Sequence, residues 1–258
     1  MADRKLKIDI RRGKILEHLR KNGKVSVTEL SQELGATAVT IRNDLSTLER
    51  DGYLIRVQGG AVASPERGNS VAPQSRDVAN LEAKLAIAAE VAGRVKDGNT
   101  LFINSGTTSV CVANALKLRK NLNIVTNSLK VATELGSVSS FRVILLGGVI
   151  NSQYGFTSGD DAQQQLGRYQ ADWAILSVDG ISARGGITTY HAEEATIDRM
   201  MLMGAKSILV VADSSKIGNP GFSRVCDCSQ RLNLITDTQA DPQILAELQD
   251  LGVEVISV

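Results

Sequence analysis

Residues 24–50 read Lys24-Val-Ser-Val-Thr-Glu-Leu-Ser-Gln-Glu-Leu-Gly-Ala-Thr-Ala-Val-Thr-Ile-Arg-Asn-Asp-Leu-Ser-Thr-Leu-Glu-Arg50, and they contain two helix starts and one helix stop. Ser26 and Glu29 stand three apart, the capping-box spacing that satisfies free N–H groups at a helix start. The first helix therefore runs to Leu34 and stops at Gly35; Thr37 is placed to cap a second helix through about Arg50. Two short helices joined by a tight turn containing glycine make a helix-turn-helix. On the second helix Ile41, Leu45 and Leu48 share one face, while Val39, Arg42, Asn43, Ser46 and Arg50 point largely the other way. An Arg and an Asn on a face without Leu or Phe suit base edges, since they pair bidentately with guanine and adenine.

Working outward, Ile15, Leu16 and Leu19 repeat at helical spacing upstream, as do Leu30 and Leu34 within the quoted stretch. Downstream, Asp51-Gly-Tyr-Leu-Ile-Arg-Val-Gln-Gly-Gly-Ala-Val62 offers two short β stretches around glycines. This reads as a wing whose Arg56 and backbone approach phosphate. The candidate DNA contacts are Thr37, Val39, Thr40, Arg42, Asn43 and Ser46 on the helices, with Arg56, Gln58 and Gly59 on the wing. Charge points the same way: residues 1–63 hold 12 Lys/Arg against 8 Asp/Glu, residues 64–258 hold 17 against 20, and the whole chain is only +1. A basic end suits a polyanion. Pattern alone also admits a three-helix protein-interaction domain with an ordinary polar face.

The wording of this end is more specific than its pattern. Arg11-Arg-Gly-Lys-Ile-Leu, Gly23-Lys-Val-Ser-Val-Thr-Glu-Leu, Thr40-Ile-Arg-Asn-Asp-Leu-Ser-Thr-Leu-Glu and Gly52-Tyr-Leu-Ile-Arg-Val-Gln-Gly-Gly-Ala closely resemble the DeoR family of transcription regulators. The family usually has a second Arg where Asn43 stands and a His where Gln58 stands. Those departures bear on the operator sequence and not on the fold.

With 258 residues the chain exceeds one comfortable core, so two domains are expected. Ala63-Ser-Pro-Glu-Arg-Gly-Asn-Ser-Val-Ala-Pro-Gln-Ser75 reads as the join. The expected division is a winged helix-turn-helix over 1–63, a linker over 64–75 and a larger domain over 76–258. Apolar residues at 43% and charged at 22% are ordinary for a globular protein. No apolar run approaches the roughly 20 residues that span a bilayer, and the N-terminus lacks signal-peptide features, so a cytoplasmic protein without membrane contact is expected. Cys111, Cys226 and Cys228 read as reduced thiols without zinc-site spacing, and no metal or cofactor is expected.

In the larger part, β-rich runs at Thr100–Ile103, Ile124–Thr126, Val143–Leu146, Ala174–Val178, Ile208–Val211, Leu234–Thr236 and Val253–Val258 alternate with helical stretches. Those stretches are Leu81–Val95, Ser109–Leu118, Leu129–Leu135, Asp161–Leu166, Glu194–Met203 and Pro242–Leu251. The alternation predicts a doubly wound, mostly parallel α/β domain. Ser105, Gly106, Thr107 and Thr108 fall where a strand passes into a helix, a setting that favours an anion; a hydroxyl-capped turn would read the same. Thr126-Asn127, Gly147-Gly148 and Asp179-Gly180 follow later strands, and ligands of open α/β sheets bind at that edge.

This domain resembles its DeoR-family counterpart through Asp97-Gly, Ser105-Gly-Thr-Thr, Val125-Thr-Asn-Ser, Leu146-Gly-Gly, Val178-Asp-Gly-Ile, Gly186-Ile-Thr-Thr and Ala212-Asp-Ser-Ser-Lys216. The family's sensor domain is similar in fold to ribose-5-phosphate isomerase and glucosamine-6-phosphate deaminase. The resemblance implies a phosphorylated sugar, with phosphate at Ser105 to Thr108, Asp179 near sugar hydroxyls and Lys216 supplying positive charge. It further implies a repressor of sugar genes relieved by that ligand. The rival is a sugar-phosphate isomerase or deaminase with an added DNA-binding module. Isomerases resemble Asp-Gly-Ala-Asp-Glu where this chain has Asp179-Gly-Ile-Ser-Ala183, so two carboxylates that proton shuttling would use are absent. Glu193 and Glu194 read as an exposed pair favourable to a helix start and not as a base. Double-stranded operator DNA, a phosphorylated sugar effector and a homodimer or homotetramer complete the expectation, because one winged helix holds DNA weakly alone.

Overall fold

Ile15 and Leu19, one helical turn apart on α1 (Ala2–Asn22), are fully and almost fully buried, and this pair seeds the core of the N-terminal unit. They pack with Leu30 of α2 (Val27–Glu33) and with Ile41, Leu45 and Leu48 of α3 (Ala38–Arg50). Ser26 caps α2 by accepting the Thr28 N–H at 3.2 Å, one residue earlier than a full capping box would. Thr37 accepts the Thr40 N–H at 3.2 Å and opens α3. Strands β1 (Lys24–Ser26), β2 (Leu54–Val57) and β3 (Gly60–Ala63) form an antiparallel sheet in the order β1-β3-β2, with Val25 opposite Ala61 and Arg56 opposite Ala61. The strand before α2 adds to the two that sequence reading expects in the wing.

The computed structural model describes residues 2–50, 54–57, 59–63, 79–229 and 231–258. The chain divides into two compact units, residues 1–81 and 82–258. The expected linker over 64–75 lies outside the described residues.

In the second unit the strands β4 (Thr100–Ile103), β5 (Asn123–Thr126), β6 (Arg142–Leu145), β9 (Ala171–Ser177), β12 (Ala205–Val211), β14 (Leu232–Thr236) and β15 (Glu254–Ser257) form one sheet. Its order is β15-β14-β12-β9-β4-β5-β6, and every neighbouring pair is parallel. Alternate residues of each strand go to opposite faces. Leu101, Ile103, Ile124, Ile175 and Val211 pack against α4 (Leu81–Arg94), α5 (Thr107–Leu116) and α6 (Leu129–Gly136), whereas Phe102, Val125, Leu176 and Val210 face α7 (Asp160–Leu166), α8 (Ala192–Met203) and α9 (Pro242–Asp250). Helices cover both faces, so the sheet is doubly wound, as the strand and helix alternation predicts.

Two small sheets were not foreseen. The hairpin β7 (Val149–Asn151) and β8 (Phe156–Ser158) pairs antiparallel, and β10 (Gly180–Ser182), β11 (Gly186–Thr189) and β13 (Ser223–Cys226) form a second antiparallel group. Strands of three or four residues, rich in Gly, Ser and Thr, carry too little periodicity to be recognised locally. No helix among the described residues is long and apolar enough to cross a membrane.

The winding reverses between β4 and β9: α5 carries the chain from β4 to β5 on one side, while β9 returns to the other. Asn104 closes this gap just past β4. Its Nδ2 donates to the Ser177 carbonyl at 2.9 Å and to Asp198 Oδ1 at 3.1 Å. Its Oδ1 accepts from the Ser177 N–H at 2.8 Å and the Ser109 hydroxyl at 3.0 Å. All four positions of a fully buried amide are thereby used. Burial, and then the negative charge of Glu194, hold the Asp198 carboxyl well above the ordinary carboxylate range, with the Asn104 bond acting in the opposite sense. The folded chain thus keeps a proton that the unfolded chain releases. Stability should therefore fall as pH rises from about 4 towards the raised native value, by about 1.4 kcal/mol per pH unit for one proton. Asp198→Asn keeps the acceptor for Asn104 and needs no proton, so it should remove that slope. Identical pH profiles for both proteins, from urea unfolding followed at Trp173, would mean that Asp198 is charged.

Candidate functional site

On α3 the polar stripe faces water: Val39 is 64% exposed, and Arg42, Asn43 and Ser46 are exposed. Thr37 is exposed and Thr40 half-buried; their hydroxyls lie 2.9 Å apart at the helix start. Arg56 stands elsewhere than a wing reading suggests. Its Nη1 donates to Ser46 Oγ at 2.7 Å, its backbone N–H donates to Glu49 Oε1 at 2.9 Å, and its Nε is buried without an acceptor among the described residues. Gly59 is exposed in the β2–β3 turn, and its carbonyl accepts the Val27 N–H at 2.8 Å. Gln58 lies outside the described residues.

Asp44 escaped sequence reading. It is 3% exposed and accepts Arg11 Nε at 2.6 Å and Arg12 Nε at 2.9 Å, so α1 is tied to α3 by charge-assisted bonds. The available signal was an acidic side chain at a helical position between buried Ile41 and Leu48, with an arginine pair upstream.

In the second unit all of the sequence-derived ligand candidates lie at the carboxyl edge of the parallel sheet. The β4–α5 junction holds Ser105, Gly106, Thr107 and Thr108. Gly106 adopts φ +136° at the helix N-cap, and among the described residues no side chain caps α5. A Cβ there would stand 2.6 Å from Ser177 Oγ, so only glycine fits. The first N–H groups of α5 thus form an uncapped, positively polarised end at the switch point. Thr107 is half-buried and Thr108 buried. Ser105 is only 5% exposed and its hydroxyl donates to Glu194, so it is engaged with a carboxylate and not directed at an anion.

The other candidates divide by role. Thr126 is fully buried and accepts the Ser128 N–H at 3.0 Å, which shapes the turn into α6. Asn127 is fully buried; Nδ2 donates to the Thr157 carbonyl at 3.2 Å, and Oδ1 has no partner among the described residues. The Gly147 N–H is taken by Gln165 Oε1 at 3.0 Å. At Gly148 a Cβ would stand 2.4 Å from the Ser158 carbonyl, and at Gly180 1.8 Å from that of Asn219, so packing accounts for both glycines. Lys216 ends the short 3-10 turn Ser214–Lys216 after β12, half-exposed and in no ion pair among the described residues.

Asp179 and Glu194 meet through Thr189, whose hydroxyl lies 3.1 Å from Asp179 Oδ2 and 2.8 Å from Glu194 Oε2. The Tyr190 N–H also donates to Asp179 at 2.8 Å. Glu193 is exposed, as expected of a helix-start carboxylate, but Glu194 is only 8% exposed. The expectation of an exposed pair is therefore wrong for Glu194: the first turn of α8 faces the β4–α5 loop, and its second carboxylate is drawn under that loop by Ser105. Asp198, one turn later on the same face, was likewise missed. Together these groups set hydrogen-bond donors on α5 beside acceptors on α8, an arrangement able to hold a ligand that is anionic at one end and rich in hydroxyls at the other.

A family model described as "DeoR-like helix-turn-helix domain" matches residues 11–67, and one described as "DeoR C terminal sensor domain" matches residues 79–238. The chain is 34% identical over 251 residues to a putative aga operon transcriptional repressor of Escherichia coli O157:H7, covering 96% of this chain and 93% of that one. It is 31% identical over 241 residues to the glycerol-3-phosphate regulon repressor of Escherichia coli K12, covering 93% and 95%. Among solved structures, ribose 5-phosphate isomerase A of Methanocaldococcus jannaschii aligns with 54% of this chain and 55% of its own at TM-score 0.40 and 16% identity. Two matched segments in sequence order, and likeness to regulators along nearly the whole length, place this chain in the DeoR family.

Proposed function

We propose that the chain is a repressor of sugar uptake or catabolism genes that binds operator DNA through α3 and the wing and is controlled by a phosphorylated sugar. The observation that carries this reading is the uncapped N-terminus of α5 at the point where the sheet winding reverses, beside the carboxylates on α8 and Asp179. Phosphate suits backbone N–H groups at a helix end, and sugar hydroxyls suit carboxylate acceptors. The names of the relatives support the repressor role, and that of the glycerol-3-phosphate regulon repressor supports a phosphorylated effector. Lys216 adds a cation at the same sheet edge. A homodimer or homotetramer suits the limited DNA surface of about 600–1,000 Å² that one small module buries.

On this reading Arg42→Ala and Asn43→Ala each weaken operator binding by about 1–3 kcal/mol while the unit stays folded. Gel-shift titration on DNA upstream of the chain's own gene measures it, and unchanged affinity in both variants removes α3 from the reading face. Thr107→Val deletes a hydroxyl at nearly constant volume, and Lys216→Met removes a charge while keeping much of the stem. Each should cost about 1.5–3 kcal/mol of phosphosugar affinity, roughly ten- to a hundredfold, with little effect on the unphosphorylated sugar. Calorimetric titrations identical to wild type in both would place the anion elsewhere.

The burial of Glu194 beside Asp179 is the one feature that favours an enzyme. Against it, both oxygens of Glu194 already accept hydroxyls, from Ser105 and Thr189, and Ser182 and Ala183 stand where the isomerases resemble Asp-Glu. Purified protein should neither interconvert pentose or hexose phosphates nor release ammonia from amino-sugar phosphates. Turnover abolished by Glu194→Gln would reverse the assignment.

A further inference from the structure

We infer that Arg56 is a specificity-determining residue that reads a base edge in the major groove alongside Arg42 and Asn43, and that it does not contact the phosphate backbone; this rests on the DNA-binding reading above. The sequence places Arg56 on a wing strand, where an extended arginine would reach a phosphate. The structure instead folds it onto the reading helix. Glu49, in the last turn of α3, takes the Arg56 backbone N–H at 2.9 Å, and Ser46 Oγ, nearly a turn nearer the helix start, takes Nη1 at 2.7 Å. Ser46 lies three residues after Asn43 and four after Arg42, so all three share one stripe of the helix. The guanidinium is therefore set on the exposed stripe itself.

Its orientation adds to this. Nε is turned into the protein and has no acceptor among the described residues, while Nη1 spends one N–H on Ser46. The N–H groups that remain lie at the Nη end, and a pair of donors in one plane matches the N7 and O6 acceptors of guanine. The neighbouring charge discriminates between the two targets. A phosphate brought to this guanidinium would also approach the exposed Glu49 carboxylate, against like charge, whereas a base edge carries no net charge. Holding the side chain on Ser46 before binding also removes rotamer freedom that DNA would otherwise have to remove, which makes a fixed donor fork better suited to reading than a mobile one.

The test uses the full chain as wild type, Arg56→Lys, Arg56→Ala and Ser46→Ala. Each protein selects duplexes from a randomised library, and its affinity for the selected duplex and for a random-sequence duplex is then followed against salt. The expected result is loss of a guanine preference at one position of each half-site, about tenfold or more, in Arg56→Lys and Arg56→Ala, with a weaker loss at the same position in Ser46→Ala. Preferences at other positions should persist, as should the salt slope of Arg56→Lys on random duplex. Unchanged preferences at every position, with uniformly weaker binding and a salt slope lower by about one in Arg56→Ala, would make Arg56 a backbone contact and overturn the inference. Unchanged binding with a lowered melting temperature would make it a prop between wing and helix, and would overturn it equally. Failure of the DNA-binding reading looks different: wild type itself would enrich no sequence.

Discussion

The sensor unit depends on one buried amide. β4 and β9 are neighbours in the sheet, but from β4 the chain winds out to the β6 edge and from β9 it winds out to the β15 edge, so regular pairing ends there and polar backbone would be left exposed in the interior. Asn104 extends the pairing by one side chain, taking both the N–H and the carbonyl of Ser177. Its two remaining positions reach Ser109 in α5 and Asp198 in α8. An apolar side chain in its place would strand four partners at once in a low-dielectric interior, which is why such a network is all or nothing.

The same amide explains why acidic groups and an anion-seeking helix end can sit together. Asp198 shares its interior with Glu194, and burial and that neighbouring charge raise its carboxyl well above the ordinary range. Glu194 accepts hydroxyls from Ser105 and Thr189, and Asp179, the other carboxylate within reach of Thr189, accepts the Tyr190 N–H. The N–H groups at the start of α5 thus lie next to carboxylates that already hold charge-assisted hydroxyl bonds.

In the N-terminal unit the corresponding constraint is ionic. Asp44, on the inner side of α3, gathers Arg11 and Arg12 from α1. The helix that presents Arg42, Asn43 and Ser46 is thereby anchored from behind. Its outward stripe carries no Leu or Phe.

Periodicity alone determined the helix-turn-helix, the wing and the doubly wound sheet, because helix caps, glycine stops and apolar spacing act over a few residues and are visible without neighbours. Strand ends located the sheet edge where Thr107, Asn127 and Asp179 stand, and family wording added Lys216. What only tertiary structure decided are the pairings between residues far apart in sequence: Asn104 with Asp198, Ser105 with Glu194, Asp44 with Arg11 and Arg12, and Arg56 with Ser46. Gly148 and Gly180 belong here as well, since the carbonyls that exclude a side chain come from Ser158 and Asn219. Local spacing reports which face a residue takes and not what stands opposite it, so a carboxylate such as Glu194 reads as solvated until the fold places a hydroxyl over it.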